Sequence, residues 1–197
     1  MIETLPSVLE SPVSGCFLVA SPALPDPNFM HTVVLLCHHG PNGSYGFVIN
    51  RPGPQTLDDL PIESPLLAGR RDSIWLGGPV ALDTIQIVHR LGYGVPEALH
   101  VAGDVFVGGD PEVLHRRLAA NESEGGPDDT ARFVVGYSGW GEGQLDFEFR
   151  TGSWVICPAS EEFIFDPRPE TVWRRVLRSF GEPFASLAAL PPDPSWN

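Results

Sequence analysis

A chain of 197 residues with 42% apolar side chains is long enough to bury roughly 70% of its unfolded surface around one core. Its 12 basic and 25 acidic side chains leave a net charge of −13, which excludes the basic surface that a direct nucleic-acid binder needs to release counterions from phosphate. No apolar run is long enough to span a bilayer, and Glu3, Glu10 and two prolines occupy the place of a secretory leader.

The expected localisation is therefore cytoplasmic, with no membrane partner. Cys16, Cys37 and Cys157 are widely spaced and each lies inside an apolar run, the pattern of reduced core thiols.

Residues 1–14 form an irregular lead-in. Gly15–Ala20 is a first strand, stopped by Ser21-Pro22. Thr32–Cys37 is a second strand, nearly all apolar and so buried on both faces. Gly40-Pro41-Asn42-Gly43 supplies a turn, and Tyr45–Asn50 returns to complete a hairpin. From Pro52 to Asp72 a loop is expected, with one short helix where Thr56 and Asp59 resemble a capping box.

Ser73–Leu76 is a short strand running into Gly77-Gly78-Pro79. Thr84–His89 is another, interrupted by the polar Gln86. Leu99–Ala102 and Val105–Val107 pair across Gly103-Asp104. Asp110-Pro111 starts a helix, with a capping carboxylate before a proline at the first helical position. Asn121–Asp129 reads as a mobile loop.

Ala131–Val135 leads as a buried strand into a glycine-rich turn, Gly136-Tyr137-Ser138-Gly139-Trp140-Gly141-Glu142-Gly143. The glycines free the backbone for positive φ or close approach, and two aromatic rings must pack or bind there. For the next element the residues leave two options. Leu145, Phe147 and Phe149 alternate like a strand, while Leu145 and Phe149 share a helical spacing. Trp154–Cys157 is a strand, Ser160 caps a short helix, and Pro169 opens a longer one that Gly181 and Pro183 stop. Residues 182–197 are expected as an extended tail, and without an internal repeat or linker the whole of 1–197 counts as a single domain.

Four blocks stand in order: Gly15–Pro22, Gly46–Pro52, Gly77–Val80 followed by Val88-His89, and Gly136–Leu145. Together they resemble the YqgE/AlgH family of small bacterial proteins, from Gly15 to about Gly181. The resemblance implies an α+β fold with a bifurcated, mostly antiparallel sheet curled into a pseudo-barrel and helices packed outside. It also implies a helix beginning near Gly143-Gln144. One branch of the family is labelled a putative transcriptional regulator, and the acidity here makes any such regulation indirect. The stretch Asp83–Ile87 departs from the family pattern, in which an aromatic-containing run precedes the histidine.

Gly136-x-Ser138-x-Trp140 approaches the nucleophile elbow but lacks the final glycine that lets the serine protrude. Neither a dinucleotide fingerprint nor a phosphate loop is present. His38-His39 brings no metal-ligand spacing, so no metal and no cofactor are expected. A helix starting at Gln144 would offer its first-turn N–H groups to a small anion, and Arg51 would supply a cation beside it.

The expected function is that of a non-enzymatic binding or indirect regulatory protein for a small anion or a protein partner. Its cleft would be formed by Asn50, Arg51, Gly77, Gly78, Pro79, Ser138, Gly139, Trp140, Gly141 and Gln144. The alternative is a hydrolase-type enzyme that uses Ser138 or His89 in the same cleft, which requires the two to meet in the fold. The ligand, the partner and the oligomeric state stay unspecified.

Overall fold

The computed structural model describes residues 8–60, 64, 67, 70–123 and 130–188. Ten strands form one branched sheet: β1 Cys16–Ala20, β2 Val33–Gly40, β3 Gly43–Val48, β4 Pro52–Thr56, β5 Ser73–Leu76, β6 Val80–His89, β7 Leu99–Ala102, β8 Val105–Val107, β9 Ala131–Trp140 and β10 Trp154–Pro158. The helices are α1 Pro111–Ser123, α2 Gln144–Arg150, α3 Glu161–Ile164, α4 Pro169–Ser179 and α5 Phe184–Ala188.

The main path is β10-β1-β2-β3-β9-β6-β8-β7, and β5 branches from β9 with β4 on its far side. The β5–β9 pair is parallel, and the other strand pairs among the described residues are antiparallel. This is the α+β class with a bifurcated, mostly antiparallel sheet. The path is open, ending at β10 and β7, so the pseudo-barrel does not close.

The branch has a specific cause in β9. One edge of β9 pairs with β6 from Ala131 to Tyr137. Its other edge takes β5 at Phe133–Val135 and then β3 at Ser138–Trp140. Consecutive strands β5 and β6 thus lie on opposite edges of β9, joined by Gly77-Gly78-Pro79, and this link must cross the β9 backbone near Gly136. A Cβ on Gly77 would sit 2.5 Å from the Gly136 carbonyl oxygen, and one on Gly136 (φ +67°) would sit 2.7 Å from that of Gly78. Two backbones meet here with no room for side chains.

Sequence reading ended the strand at Val135 and made Gly136–Gly143 a turn. In the structure β9 continues through Gly136, Ser138 and Gly139 to Trp140, because Gly136 serves the crossing and only the last three residues turn.

Other differences have similarly local reasons. β4 was expected as loop because of Pro52 and Pro54, yet it pairs sparsely, through Pro52↔Trp75 and Thr56↔Ser73, as an edge strand can. The Thr56/Asp59 capping box is present and starts a 3₁₀ turn over Leu57–Asp59. α1 runs through Ser123, with Asp110 Oδ1 accepting from Val113 N–H at 2.9 Å, so residues 121–123 are helical, and 124–129 lie outside the described residues. α2 is a helix, as the resemblance implied. Residues 184–188 form α5 where an extended tail was expected; 189–197 and 1–7 lie outside the described residues.

Three apolar clusters fill the spaces between sheet and helices. On one face of β10-β1-β2-β3, Phe17, Val19, Leu35 and Phe47 meet Val172, Trp173, Val176 and Leu177 of α4, and Trp173 Nε1 donates to Ala20 O at 2.8 Å. On the other face Leu18, Val34, Leu36 and Ile156 pack with Trp140, Trp154 and Leu145 of α2. α1 covers the β5-β9-β6 branch through Leu114 and Leu118. Burial pushes the Cys16 thiol up to about 11, the Cys157 thiol up to about 12 and the Cys37 thiol higher still, so all three free thiols are protonated and unreactive.

Candidate functional site

An open groove of about 810 Å³ crosses the sheet face beyond the end of the α4-covered core. Its floor is Tyr45 and Phe47 of β3 and Tyr137 and Gly139 of β9. Val80, Ala81, Thr84 and Gln86 of β6 form one wall, and His38, Asn42 and the edge of Trp140 close the opposite end. The rings are in mutual contact, with Tyr45–Tyr137 centroids 6.4 Å apart at 83° and Tyr45–His38 centroids 6.2 Å apart at 25°.

No charged residue type except histidine lines this groove among the described residues, although the chain carries 25 Asp or Glu and 12 Lys or Arg side chains. Among the described residues, the hydroxyls of Tyr45 and Tyr137 and the side-chain amides of Asn42 and Gln86 make no hydrogen bond within the chain. Burial raises the pKa of the Tyr45 phenol, with the Cys37 thiol adding to the shift, so this hydroxyl stays a donor at physiological pH. The groove therefore presents aromatic faces and unpaired neutral hydrogen-bonding groups.

The residues expected to form a cleft are distributed differently. Gly139 and Trp140 line the groove. Gly77, Gly78 and Pro79 make the crossing over β9. Ser138 is fully buried beneath it, donating from Oγ to Gly77 O at 2.9 Å. Asn50 clasps the 31–33 segment, accepting from Val33 N–H at 2.8 Å and donating to His31 O at 2.9 Å. Arg51 donates to Asn28 O at 2.8 Å. Burial lowers its guanidinium pKa, with Asp26 acting in the opposite sense. Gln144 accepts from Gly141 N–H at 3.0 Å and donates to Glu148 at 2.8 Å, so its own side chain closes the turn before α2.

Ser138 and His89 do not meet. His89 pairs with Ala131 at the start of β9 and Ser138 lies seven positions further along the strand, about 23 Å at the usual rise. His89 is fully buried, stacked on Phe106 at 5.8 Å. Nε2 lies 2.9 Å from Gly108 O, and Nδ1 accepts from Leu91 N–H at 3.4 Å, which selects the neutral Nε2–H tautomer.

Burial is the largest cause of the lowered His89 pKa; the Gly108 hydrogen bond opposes it and Arg117 adds to it. With the folded value below the unfolded 6.5, the unfolded state binds the extra proton first, so stability is present above pH 6.5 and lost as pH falls through the folded value. Protonation would also turn Nδ1 from acceptor to donor facing an N–H. Urea denaturation is expected to show lower stability at pH 5.5 than at 7.5, with the difference reduced in His89→Gln; an unchanged difference in the variant would remove His89 from the account. His31, whose pKa burial and Arg174 lower, contributes in the same direction.

Trp140, the ring that had to pack or bind, does mainly the former. It is 5% exposed, 5.9 Å from Trp154 and 6.0 Å from Phe29. Glu148 accepts from both indoles, Trp140 Nε1 and Trp154 Nε1, each at 2.9 Å. Glu148→Ala leaves two indole N–H groups without an acceptor and is expected to cost about 2 kcal/mol, with a change in tryptophan emission; a loss under about 0.5 kcal/mol would show that water replaces the carboxylate.

One arrangement was not read from the sequence. His39 Nδ1 lies 2.7 Å from Ser44 Oγ, and its Nε2 lies 3.7 Å from Asp146 Oδ1. The second distance is too long for a hydrogen bond, and strand alternation sets the Ser44 side chain opposite Tyr45. The three tie the β2–β3 hairpin to α2. Tyr45, Thr84 and His38 were likewise missed as groove residues; the signal that could have found the wall was Gln86, a polar residue inside an otherwise apolar strand.

An α+β protein with a branched open sheet and an uncharged aromatic groove is the class that this architecture defines. The chain belongs to the AlgH-like family, whose model matches residues 17–185. Relatives described as UPF0301 proteins are 38% identical over 93% of this chain and 95% of theirs in Chlorobium limicola, and 37% identical over 95% and 96% in Streptomyces avermitilis. The solution structure of AlgH from Pseudomonas aeruginosa is similar over 94% of this chain and 98% of that one, with TM-score 0.65 and 29% identity. A crystal structure from Corynebacterium diphtheriae shares the fold, with TM-score 0.71 at 21% identity over 92% and 94%. Among the described residues no helix is long and apolar enough to cross a membrane.

Proposed function

We propose that this chain is a non-enzymatic binding protein whose groove takes an uncharged peptide segment of a protein partner, and that any regulatory role is exercised through that partner. The observation that carries this reading is the lining: among the described residues it consists of aromatic rings and unpaired neutral polar groups, without a carboxylate or guanidinium group, on a chain of net charge −13. A small anion would find no countercharge among these residues, since Arg51 is engaged elsewhere. Peptide carbonyls and apolar side chains match both components of the surface. Val80, 38% exposed on the β6 wall, extends the apolar contact beyond the floor. The separation of Ser138 from His89 removes the pair on which the hydrolase alternative was built.

The test is selection of a random peptide display library on the native chain, with Tyr137→Ala as counter-selection. Tyr137 is half-buried on the floor, so its truncation removes contact area while the fold remains. Acid-poor sequences with apolar residues are expected on the native chain, bound about tenfold or more weakly by the variant. Equal enrichment on both proteins, or none on either, would overturn the reading.

A further inference from the structure

We infer that Asn42 is a site of spontaneous covalent modification in the folded protein: its side-chain amide condenses with the backbone nitrogen of Gly43 and is hydrolysed to an acid. The product places a carboxylate in a groove whose lining, among the described residues, has none. The chemistry stands on the turn alone, while its effect on binding rests on the peptide reading just given.

The chain has five asparagines, at 28, 42, 50, 121 and 197, and only Asn42 is followed by glycine. Attack on the side-chain carbonyl comes from the backbone nitrogen of the next residue, and a Cβ on that residue crowds the five-membered ring that forms. Gly43 carries none, and the fold does not let it carry one. Its φ is +127°, and a Cβ there would lie 2.6 Å from the Trp140 carbonyl oxygen. The turn between β2 and β3 therefore demands the dipeptide that reacts.

The surroundings leave this asparagine available. Asn42 is exposed at the tip of the hairpin, and its side-chain amide makes no hydrogen bond within the chain among the described residues. Asn50 by contrast engages both ends of its amide, with Val33 N–H and His31 O, and Asn121 donates to Thr130 Oγ1 at 3.1 Å. Asn28 is exposed as well, but Phe29 follows it, which makes it an internal control. Gly43 pairs with Gly40, and beyond that pair lie only Pro41 and Asn42. A pair at the end of a ladder opens at a low free energy, which releases the Gly43 nitrogen.

Water is the only co-reactant the step needs. Hydroxide takes the Gly43 amide proton, the nitrogen bonds to Asn42 Cγ, and the side-chain nitrogen leaves as ammonia with a proton from water, which regenerates the hydroxide. A second water opens the cyclic imide. Breaking the bond from Cγ to the Gly43 nitrogen gives aspartate; breaking the bond from the Asn42 backbone carbonyl carbon to that nitrogen gives isoaspartate. Either product is an acceptor-only carboxylate where a neutral amide both donated and accepted. Isoaspartate also adds one carbon to the backbone between Gly40 and Gly43. A groove suited to an uncharged ligand then loses affinity as the molecule ages.

In the experiment the full-length chain is incubated folded and, in parallel, unfolded in urea, each in mildly alkaline and mildly acidic buffer. Peptide mapping follows the amide-to-acid mass gain and the isoaspartate at each asparagine. The folded chain is expected to convert Asn42 within about tenfold of the unfolded rate, faster in the alkaline buffer, with Asn28 unchanged. Asn42→Gln, which would have to close a larger ring, is expected to convert at least about tenfold more slowly. Binding is then read with the pool of peptides enriched in the display selection. The aged native chain and fresh Asn42→Asp are both expected to bind this pool about tenfold more weakly than the fresh native chain, while Asn42→Gln keeps on ageing the affinity it had when fresh.

Conversion in the unfolded chain only, or Asn28 converting as fast as Asn42, would overturn the modification site. Conversion with undiminished binding would overturn its effect on the groove and leave the peptide reading standing. A selection that enriches no peptide would remove that reading and the effect on binding with it, and the mass measurement would still decide the chemistry.

Discussion

Gly78→Ala is expected to lose about 3 kcal/mol or more of folding stability. Gly78 has φ +152°, and a Cβ there would lie closer than 3.0 Å to the carbonyl group of Tyr137 and to Ser138 N. Backbone atoms cannot swing aside as a side-chain tip can. The cost combines strain at a φ that L-residues avoid, about 1–2 kcal/mol, with overpacking of about 1–3 kcal/mol. Gly136→Ala meets the same crossing from below and is expected to cost a similar amount. Gly141→Ala provides the control, because its nearest neighbour would be Gln144 Oε1 at 3.9 Å, and a change within about 0.5 kcal/mol is expected. Urea titration of the three variants checks this; a Gly78→Ala midpoint matching that of Gly141→Ala would mean that the crossing yields easily.

The second large effect belongs to Arg132. Its side chain, on a residue 7% exposed, lies 3.6 Å over the Trp75 ring. It donates from Nη1 to Ile49 O at 2.7 Å and from Nη2 to Asp166 O at 2.8 Å. One guanidinium thereby joins the start of β9, the end of the β3 segment and the turn before α4. Its planar fork fits two carbonyls and a ring together, which a lysine could not do. Arg132→Met keeps the packing against Trp75 but leaves both carbonyls without that donor, and about 2–5 kcal/mol is expected to be lost. The measurement is again the denaturation midpoint, read together with Arg132→Lys. If the lysine variant matched the native chain, a point charge would be sufficient and the fork geometry irrelevant.

Much of the fold was legible because its signals are local. The hairpin of β2 and β3 is two apolar runs around Gly40-Pro41-Asn42-Gly43, α1 announces itself through Asp110-Pro111, and α4 through Pro169 and its apolar stripe. What escaped is non-local. Gly136 looks like a turn residue until Gly77 and Gly78 are seen passing over the same strand, a relation between segments some sixty positions apart. β4 escaped because prolines mask a strand wherever pairing is sparse. The resemblance supplied α2, which periodicity alone left open.

Of the residues named in advance as a cleft, Gly139 and Trp140 do line the groove, while Asn50, Ser138 and Gln144 are engaged inside the fold. A strand-end asparagine and a buried serine look the same in sequence whether they bind a ligand or a neighbouring carbonyl. Gln86 stood out as polar in an apolar run, but only the tertiary fold shows that it faces Tyr45 and Tyr137 across open space.

The branch at β9 also bears on the order in which the molecule can be made. β3, β5 and β6 all take a neighbour from a strand that begins at Ala131, and β1 takes one from β10, which begins at Trp154. Until those residues have left the ribosome, the earlier strands hold hairpins with open edges and no shared axis. Chain closure is therefore late and over long distance, the regime in which folding is slow and exposed apolar strands need shelter. For a nascent chain of this topology, the interval before β9 emerges is the time when it depends most on chaperones.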